Sequence, residues 1–382
     1  MSPKKKILLL TDWYEPGYKA GGPIQSCKNF VSALHDVFEL VLITSDRDQG
    51  DTGPYPGIVT DTWIRREPGF RIYYAGPATL RSNGLKRLIA SEAPDYIYLN
   101  SMYSFQFTIL PLWWKKRKQI GAGIVIAPRG MLHEGAMGFK SGKKRLFIRM
   151  LNTLGLPRQL TFQATDEQES RDIIRYFPSA GKVQLLPNFT RNEEVGWKSV
   201  EKKPGRLDCV FISRLAPKKN LLFLLNILQT LPDTLGLRLD LYGELEDSDY
   251  WEKCKAVIAR LPSHVSVDWK GPISNDKVTA TLQQYHVFVL PTLGENFGHA
   301  IFEALLAGKP VLISDKTPWL GLEQQQAGFD LPLQPRWFEQ TLLRLADMDQ
   351  TTYDHWSAAA FEYGRKKRSS DELKEKYKEL FL

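Results

Sequence analysis

The chain has 382 residues, 43% hydrophobic and 25% charged, with a net charge of +8, as is typical of a soluble globular protein large enough for two domains. Its apolar runs are too short to span a bilayer, and the four apolar residues after its basic start predict neither a signal peptide nor a membrane anchor. Its three cysteines lie far apart without a CxxC pair, which argues against disulfides and a zinc site and favours a reducing cytoplasm.

Strand and helix patterns alternate along the first half of the chain. The apolar run at 6–11 predicts a strand, a glycine-rich loop follows it, and 24–36 has the spacing of a helix. Further strand patterns lie at 38–45, 70–76, 95–100 and 123–130. This rhythm predicts a parallel sheet that is covered by helices on both faces.

The rhythm begins again after a strand pattern at 182–188 and a polar segment at 189–206. The later strand patterns lie at 207–214, 237–243, 265–271, 287–292 and 310–315. We therefore predict two Rossmann-like, doubly wound α/β domains, at 1–187 and 188–364, and a final amphipathic helix within 365–382. Two such domains are expected to face a cleft lined by the carboxyl ends of their strands, where open α/β folds bind ligands.

Positive charge is concentrated in one part of the first domain, because residues 101–150 hold ten Lys and Arg and a single acid. Most of it lies at 113–118 and 139–149, beside Trp, Phe and Leu. Such segments attract polyanions and suit the headgroup region of a membrane. A solvated helix face explains the same pattern equally well.

Two carboxylates, Glu295 and Glu303, flank the start of a helix predicted within 294–314. The turn before this helix contains glycines, so backbone amides and the positive end of the helix dipole could reach a phosphate. Glu303 falls among apolar residues, where a carboxylate is costly unless it accepts hydrogen bonds. The two hydroxyls of a ribose would supply such bonds, and so would an arginine partner or a cap.

Two other segments place suitable groups after a predicted strand. Arg214 and Lys219 lie five residues apart across a strand-to-helix turn, where they could hold a diphosphate and stabilise its charge as it departs. The adjacent Lys218 fits a solvated lysine. Gly21 and Gly22 follow the first strand and would permit a close backbone approach, but their spacing is not the GxGxxG of a dinucleotide site.

Together these residues resemble the GT4-type family of retaining glycosyltransferases, which have the GT-B fold. The family's two glutamates, with seven residues between them, and the pattern around them stand here as Glu295, Phe297, Gly298, Glu303, Ala304, Ala307, Gly308, Pro310 and Val311. Its weaker motifs stand as Ser213-Arg214-Leu215 with Lys219-Asn220, as the segment around Gly243, and as Pro187-Asn188-Phe189. Ser213, Asn220 and Phe189 replace glycines of the family pattern.

The resemblance implies a role for each matching position. Glu303 would bind the donor ribose, Glu295 the donor sugar, and Arg214 and Lys219 the diphosphate. The other positions expected at the donor are Gly21, Gly22, Asn188, Gly243, Asn296, Phe297, Gly298 and His299. The resemblance also implies that the final helix returns to the first domain.

The implied reaction moves a hexose-type sugar, with retention, from a UDP- or GDP-sugar to a saccharide or lipid-linked saccharide in cell-surface polysaccharide or lipopolysaccharide biosynthesis. The nucleotide sugar is a co-substrate. No resident cofactor and no metal are expected, because cations and a helix end would take the metal's place.

The chain departs from the family at the tip of one strand in the first domain. Many members have His-Gly there, whereas this chain has Arg129-Gly130, followed by His133, and it resembles a polysaccharide-building subset with Pro-Arg-Gly-Met-Leu. Arg129 is therefore expected to bind an anionic group on the donor or acceptor, and His133 or Glu134 to orient the acceptor. A solvent-facing loop histidine explains His133 as well.

Three other functions are compatible with single features of the sequence. A metal-dependent glycosyltransferase needs an Asp-x-Asp pair, which occurs at Asp46/Asp48, Asp247/Asp249 and Asp347/Asp349, although solvated loops explain these acids more simply. A nucleic-acid-binding protein would use the basic segment, but no motif of that class accompanies it, so we expect no nucleic acid partner. A catalytically inactive scaffold is disfavoured because both the glutamate and the Arg/Lys sets are intact. We thus expect a cytoplasmic enzyme, at the inner face of the membrane if the basic segment binds anionic lipid.

Overall fold

The computed structural model describes residues 4–81, 83–138, 141–191 and 195–381. The chain forms two compact units, Met1–Arg191 with Ser369–Leu382, and Asn192–Arg368. The crossings between the units therefore follow residues 191 and 368, a few residues beyond the boundaries expected from the sequence.

The first unit is built from eight strands and eight helices among the described residues. Its strands are β1 (Lys6–Leu10), β2 (Glu39–Ser45), β3 (Trp63–Glu67), β4 (Phe70–Ala75), β5 (Tyr96–Leu99), β6 (Gly123–Ile126), β7 (Leu160–Ala164) and β8 (Lys182–Leu185). Its first seven helices are α1 (Gly22–Leu34), α2 (Pro77–Arg81), α3 (Gly84–Glu92), α4 (Leu110–Lys116), α5 (Glu134–Gly138), α6 (Ser141–Thr153) and α7 (Glu167–Tyr176). A π-helical turn at Phe105–Ile109 leads into α4, and a 3₁₀ turn at Leu156–Gln159 precedes β7.

The sheet of the first unit runs β3-β4-β2-β1-β5-β6-β7-β8, and all its pairs are parallel except β3 with β4. The predicted parallel sheet is thus confirmed, with two strands that were not predicted: β7, between β6 and β8, and the antiparallel β3 at the edge. β3 was not predicted because it is half-exposed at the edge and carries only two large apolar residues. The strand order reverses between β1 and β5, and at such a point the carboxyl ends of the strands leave a crevice for ligands.

The second unit is a six-stranded α/β domain. Its strands are β9 (Arg206–Ile212), β10 (Gly236–Tyr242), β11 (Val265–Trp269), β12 (Val287–Leu290), β13 (Val311–Ser314) and β14 (Gly328–Leu331). Its helices are α8 (Leu221–Leu228), α9 (Ser248–Ile258), α10 (Asn275–Leu282), α11 (His299–Leu306), α12 (Pro335–Asp347) and α13 (Gln350–Lys366), with a 3₁₀ turn at Pro217–Lys219.

The sheet of the second unit is parallel throughout, in the order β11-β10-β9-β12-β13-β14. Every residue of β12 and β13 is buried, as expected for strands that helices cover on both faces. The strand order reverses between β9 and β12, which makes their carboxyl ends the ligand position of this domain.

The last helix, α14 (Asp371–Leu380), belongs to the first unit. The ring of Tyr377 lies 4.3 Å from that of Phe189, and the ring of Phe381 lies 5.5 Å from that of Tyr96. Aromatic pairs at these separations add to the energy of burial, so they hold α14 on this domain. The chain therefore ends in the first domain, as the predicted fold requires.

A close helix contact holds α11, the helix that contains Glu303. A Cβ atom added at Gly364 of α13 would lie 2.9 Å from the backbone nitrogen of Leu306. Only glycine allows this approach, which packs α13 directly against the backbone of α11. The position of α11 is therefore set by backbone packing as well as by its apolar side chains.

Lys309, between α11 and β13, is a fully buried cation. Its Nζ donates one long hydrogen bond, 3.4 Å, to the carbonyl of Gln283. Burial lowers the pKa of the Lys309 ammonium to about 8, and Asp354 opposes this shift. At neutral pH the native protein thus holds a charge that would be better solvated in the unfolded chain.

Replacing Lys309 with methionine is expected to stabilise the protein at neutral pH by about 3 kcal/mol, because it removes a buried charge. The folded pKa lies below the unfolded value, so the native protein loses its proton first and its penalty fades as pH rises from about 8 towards 10.5. The stability gap between variant and wild type should therefore close over this window.

Urea unfolding of both proteins at pH 7, 8, 9 and 10 measures this gap. The buried cysteines and tyrosines are common to both proteins and cancel in the comparison. A gap that stays constant with pH would show that the ammonium pays no penalty for burial.

The three cysteines are free thiols and all are buried. Burial raises the pKa of Cys27 and of Cys254 to about 11, and it also raises the pKa of Cys209. Within the described ranges, the structure contains no helix of sufficient length and apolarity to cross a membrane.

Candidate functional site

In the second unit, the predicted site residues follow the two strands at the point where the strand order reverses. Arg214 lies just after β9, and Glu295 lies in the loop after β12. The backbone of Leu293 donates a 2.8 Å hydrogen bond to the carbonyl of Lys218, which ties these two loops together. The fold thus brings the glutamate motif and the Arg/Lys motif to one edge of the sheet.

Lys219 and Glu295 are in direct contact. Nζ of Lys219 donates to Oε1 of Glu295, and the two side chains are only 14% and 12% exposed. Lys219 ends the 3₁₀ turn, and Asn220, with a φ of 60°, redirects the chain into α8. A partly buried ion pair of this kind is a strong, directional interaction and fixes both groups at the strand ends.

The same edge carries two further cations, Arg214 and Lys218. Arg214 pairs with Glu246 at 2.6 Å, and their side chains are 34% and 40% exposed. Lys218 is exposed overall, yet its pKa is lowered, mainly because its ammonium is partly withdrawn from water and further because Lys219 and Arg214 repel it, although Glu295 opposes this. Arg214, Lys218 and Lys219 thus place three cations at this edge, where they can attract an anion.

The turn before α11 has a backbone that requires glycine. Gly298 is the N-cap residue of α11 with a φ of 79°, and a Cβ there would lie 2.8 Å from Cδ1 of Ile301. Trp319 supports the turn, because its Nε1 donates to the carbonyl of Phe297 and its ring lies 5.5 Å from the ring of Phe297. The N-cap residue brings no side chain of its own to the start of the helix.

Trp319 was not foreseen from the sequence. The sequence feature that could have indicated it is its place shortly after β13, a strand that ends at the same edge of the sheet. Asn296 and His299 flank the same turn and are half-buried, and the rings of Phe297 and His299 lie 4.7 Å apart.

Glu303 lies within α11 and is buried, with 8% of its surface exposed. Its neighbours Phe302 and Ala304 are 1% and 0% exposed. The structure therefore places this carboxylate inside the domain, as the apolar run around it predicted.

Gly243, just after β10, has a structural requirement of its own. A Cβ at this position would lie 1.9 Å from the carbonyl oxygen of Ser213, so the ends of β9 and β10 meet backbone to backbone. Its φ of 144° also lies in the region that favours glycine. This glycine is needed to bring the Arg214 loop to its place, whatever else it contacts.

In the first unit, Arg129 follows β6 with a φ of 56°, a conformation that non-glycine residues rarely adopt. Its Nε donates to Oδ1 of Asn100 at 3.0 Å, and its Nη2 donates to the hydroxyl of Tyr98 at 2.6 Å. Its Nη1 is buried and has no hydrogen-bond partner among the described residues. Two of its three nitrogens are therefore used inside the domain.

Helix α7 holds the loop that follows Arg129. Glu169 accepts a 2.5 Å hydrogen bond from the backbone of Gly130, and Nδ1 of His133 lies 2.7 Å from Oδ2 of Asp172. His133 is therefore not a free, solvent-facing loop histidine. Sequence reasoning missed both partners, because they lie 39 residues further along the chain. The side chain of Glu134 lies outside the described residues.

The glycine loop after β1 leads directly into α1. Gly21 is the N-cap residue, with a φ of 63°, and α1 begins with Gly22 and Pro23. The carboxylate of Asp48 accepts hydrogen bonds from the backbone of Tyr18 and Lys19, at 2.7 and 3.1 Å, so it holds the start of this loop.

Asn188 differs from its expected place. The structure puts it in the first unit, where it is 4% exposed and its Oδ1 has no hydrogen-bond partner among the described residues. The domain boundary expected from the sequence places it instead at the start of the second domain.

Each Asp-x-Asp tripeptide includes an acid with a structural use. Asp247 caps α9 through the backbone of Tyr250, and Asp349 caps α13 through the backbone of Thr352. Asp48 holds the glycine loop, as described above. These contacts are ordinary capping and loop interactions.

The basic segment of the first unit forms a mixed cationic and apolar surface. Trp113 of α4 is 40% exposed, and Leu146 and Met150 of α6 are 69% and 39% exposed. Nζ of Lys116 donates to the carbonyl of Leu154, so the two helix ends lie side by side. Phe139 and Lys140, at the start of the predicted segment 139–149, lie outside the described residues.

Comparison with known proteins gives one family match and a set of similar structures. Residues 196–322 match the family model described as "Glycosyl transferases group 1". This segment contains Arg214, Lys219, Glu295 and Glu303. No curated protein sequence matches the chain significantly.

The structure is similar to that of Anabaena Alr3699/HepE in complex with UDP and glucose, with a TM-score of 0.68 and 15% identity over 98% of this chain and 99% of that chain. It is also similar to sucrose-phosphate synthase from Thermosynechococcus elongatus, with a TM-score of 0.68 and 16% identity over 99% and 98%. A third similar structure is WaaG, a glycosyltransferase involved in lipopolysaccharide biosynthesis, with a TM-score of 0.66 and 14% identity over 98% and 99%. At these identities the likeness shows the fold, and the predicted GT-B class is confirmed.

Proposed function

We propose that this protein is a retaining glycosyltransferase. It transfers a hexose-type sugar from a UDP- or GDP-sugar to a hydroxyl of a saccharide or lipid-linked saccharide, and it serves the synthesis of a cell-surface polysaccharide or lipopolysaccharide. The nucleotide sugar is a substrate, and the proposal includes no metal ion and no resident cofactor.

The observation that carries this proposal is the cluster at the β9 and β12 ends. Lys219 contacts Glu295, Arg214 lies after the same strand as Lys219, and α11 begins beside them with a glycine cap and carries the buried Glu303. The whole cluster falls within the segment that matches the group 1 glycosyltransferase model. A nucleoside diphosphate sugar supplies one partner for each group: ribose hydroxyls, a diphosphate and sugar hydroxyls.

In the proposed reaction, the acceptor hydroxyl attacks the anomeric carbon from the face on which the diphosphate leaves. The bond between that carbon and the phosphate oxygen breaks, and the departing oxygen takes the acceptor's proton. Negative charge grows on the diphosphate as it departs. Arg214 and Lys219, already fixed by their carboxylate partners, stabilise this charge without reorganising.

The test is a panel of UDP- and GDP-sugars with glucose, galactose, mannose and N-acetylhexosamine groups. We expect one nucleotide series to raise the melting temperature of the protein and its sugar to be released slowly into water. Binding of no nucleotide sugar would refute the proposal. Loss of activity in EDTA, restored by Mg²⁺ or Mn²⁺, would instead favour the metal-dependent alternative.

We further propose that α4 and α6 of the first unit contact an anionic membrane surface, which would bring the enzyme to a lipid-linked acceptor. The exposed Leu146 and Met150 alternate with Lys143, Arg145 and Arg149 on one side of α6. Cations near an anionic surface contribute about 1 kcal/mol each, and exposed apolar side chains add to this by insertion.

Vesicles of phosphatidylglycerol and phosphatidylcholine test this surface. Replacing Lys143, Arg145 and Arg149 with glutamine should weaken binding to anionic vesicles by roughly 100-fold. Replacing the exposed Arg65, Arg81 and Arg87 with glutamine removes the same charge elsewhere in the unit and should weaken binding to anionic vesicles much less. Equal binding of the wild type to anionic and neutral vesicles would exclude the membrane role.

A further inference from the structure

A continuous network of buried and partly buried hydrogen bonds connects the start of α1 to the final helix. Nδ2 of Asn100 donates to the carbonyl of Pro23 at 3.2 Å, and Oδ1 of Asn100 accepts from Nε of Arg129 at 3.0 Å. Nη2 of Arg129 donates to the hydroxyl of Tyr98 at 2.6 Å, which donates to Oε1 of Gln163 at 2.6 Å. Nε2 of Gln163 donates to the hydroxyl of Tyr377 at 2.6 Å, which donates to the carbonyl of Pro187 at 2.9 Å. Every member belongs to the first unit.

The donors and acceptors along this network have one consistent assignment. The Arg129 guanidinium can only donate and the Pro23 carbonyl can only accept, so the Asn100 amide has a single orientation between them. The hydroxyl of Tyr98 accepts from Arg129 and therefore donates to Gln163. The hydroxyl of Tyr377 accepts from Gln163 and donates to Pro187.

Several members of this hydrogen-bond network are buried, where a broken hydrogen bond is costly. Tyr98 and Gln163 are fully buried, and Asn100 is 2% exposed. Burial raises the pKa of Tyr98 well above its ordinary value and that of Tyr377 to about 12, so both hydroxyls stay protonated and can donate at neutral pH. In such surroundings each bond supports the next, and removing one member leaves its partner unsatisfied.

One end of this hydrogen-bond network lies at the glycine loop. Pro23 is in the first turn of α1, and the carbonyl of Gly21 accepts hydrogen bonds from the backbone of Ile24 and Gln25 at 3.1 and 3.2 Å. Glycines before a helix have many accessible conformations, and Gly21 adopts a positive φ that the rest of the structure must hold. The Asn100 amide is the side chain that anchors the carbonyl just after these glycines.

We propose that Arg129 is a positioning residue that, through Asn100, holds the Gly21–Gly22 loop in its donor-binding conformation, rather than a group that contacts the reacting atoms. This inference rests on the proposed function and on the role that the family resemblance implies for Gly21 and Gly22 as donor-binding positions. If the loop is competent for only a fraction of the time, the apparent donor affinity falls by that fraction, whereas the rate at saturating donor is preserved.

The test compares Arg129→Met, Asn100→Leu and the double variant by steady-state kinetics and by hydrogen exchange of the segment 17–26. Each single change should raise the donor KM by roughly tenfold and leave kcat at saturating donor within about threefold. The backbone amides of Ile24 and Gln25 should exchange faster by a similar factor. The double variant should be no worse than either single variant, because one break already disconnects the loop.

Ile97→Val is the matched control, since it is a buried change in β5, the strand that also contains Tyr98. It should leave both the exchange of 17–26 and the donor KM unchanged. A loss of kcat by 100-fold or more in Arg129→Met alone, with additive effects in the double variant, would overturn the inference and make Arg129 a catalytic residue. Unchanged exchange at 17–26 in both single variants would overturn it as well.

The two proposals fail in different ways. If the wild type turns over no nucleotide sugar, the proposed function fails, but the exchange experiment still shows whether Arg129 and Asn100 hold the loop. If turnover is normal and the loop is unaffected, only the positioning role fails.

Discussion

Replacing Lys219 with methionine is expected to lower kcat for sugar transfer by roughly 100- to 1,000-fold, the usual cost of removing one fixed group that stabilises a developing negative charge. The ammonium of Lys219 is held against Glu295 at the strand ends and is mostly buried, so its field acts in a region of low polarity. The donor KM should change much less than kcat, because the charge of the diphosphate is greatest as it departs.

Lys218→Met is the control for this change. It removes the same charge from the adjacent residue, but Lys218 is exposed overall, and we expect its loss to cost less than tenfold in kcat. Single-turnover measurements at saturating donor separate the chemical step from product release. Equal losses in the two variants would show that net charge, and not the place of one ammonium, supports the reaction.

Replacing Glu303 with alanine is expected to weaken UDP or GDP binding by roughly 100-fold. A carboxylate that accepts from two ribose hydroxyls forms two charge-assisted hydrogen bonds, and their loss corresponds to about 3 kcal/mol. Because Glu303 is buried within α11, the substitution also leaves space in the core, so the melting temperature must be measured beside the affinity.

The 2′-deoxynucleotide distinguishes a ribose contact from a general structural loss. Wild-type protein should bind it markedly less well than the ribonucleotide, whereas Glu303→Ala should bind both alike. Calorimetric titration of both nucleotides into both proteins completes this cycle. If alanine weakens both nucleotides equally and the wild type does not discriminate, Glu303 is a structural acid and the ribose assignment is wrong.

The fold could be predicted because its signals are local. Buried parallel strands such as β12 and β13 are continuous apolar runs, and the glycines beside α11 mark its two ends. β3, β7 and β14 escaped prediction for the opposite reason. β3 is a half-exposed edge strand, β7 is a five-residue strand in which polar residues interrupt the apolar ones, and β14 is a four-residue strand that begins with a glycine. At Gly328 a Cβ would lie 2.2 Å from the carbonyl oxygen of Val311, so that glycine reflects a contact between strands that no local pattern reveals.

The candidate site was predictable in its types of residue and not in its pairs. The sequence indicates that Lys219 and Glu295 are important, but 76 residues separate them, and only the sheet topology makes them neighbours. The same holds for His133 with Asp172 and for Arg129 with Asn100. An arginine at a strand end predicts a ligand contact from residue type alone, whereas the bonds of Arg129 show how much of its hydrogen-bonding capacity is used internally.

The burial of all three cysteines has a practical consequence for experiments on this enzyme. Thiols that are buried and have a raised pKa form little thiolate at pH 7, and the thiolate is the form that reacts with maleimides. The natural chain should therefore be almost inert towards such reagents while it is folded. A single cysteine introduced at an exposed position would accept one fluorophore without removal of any native cysteine.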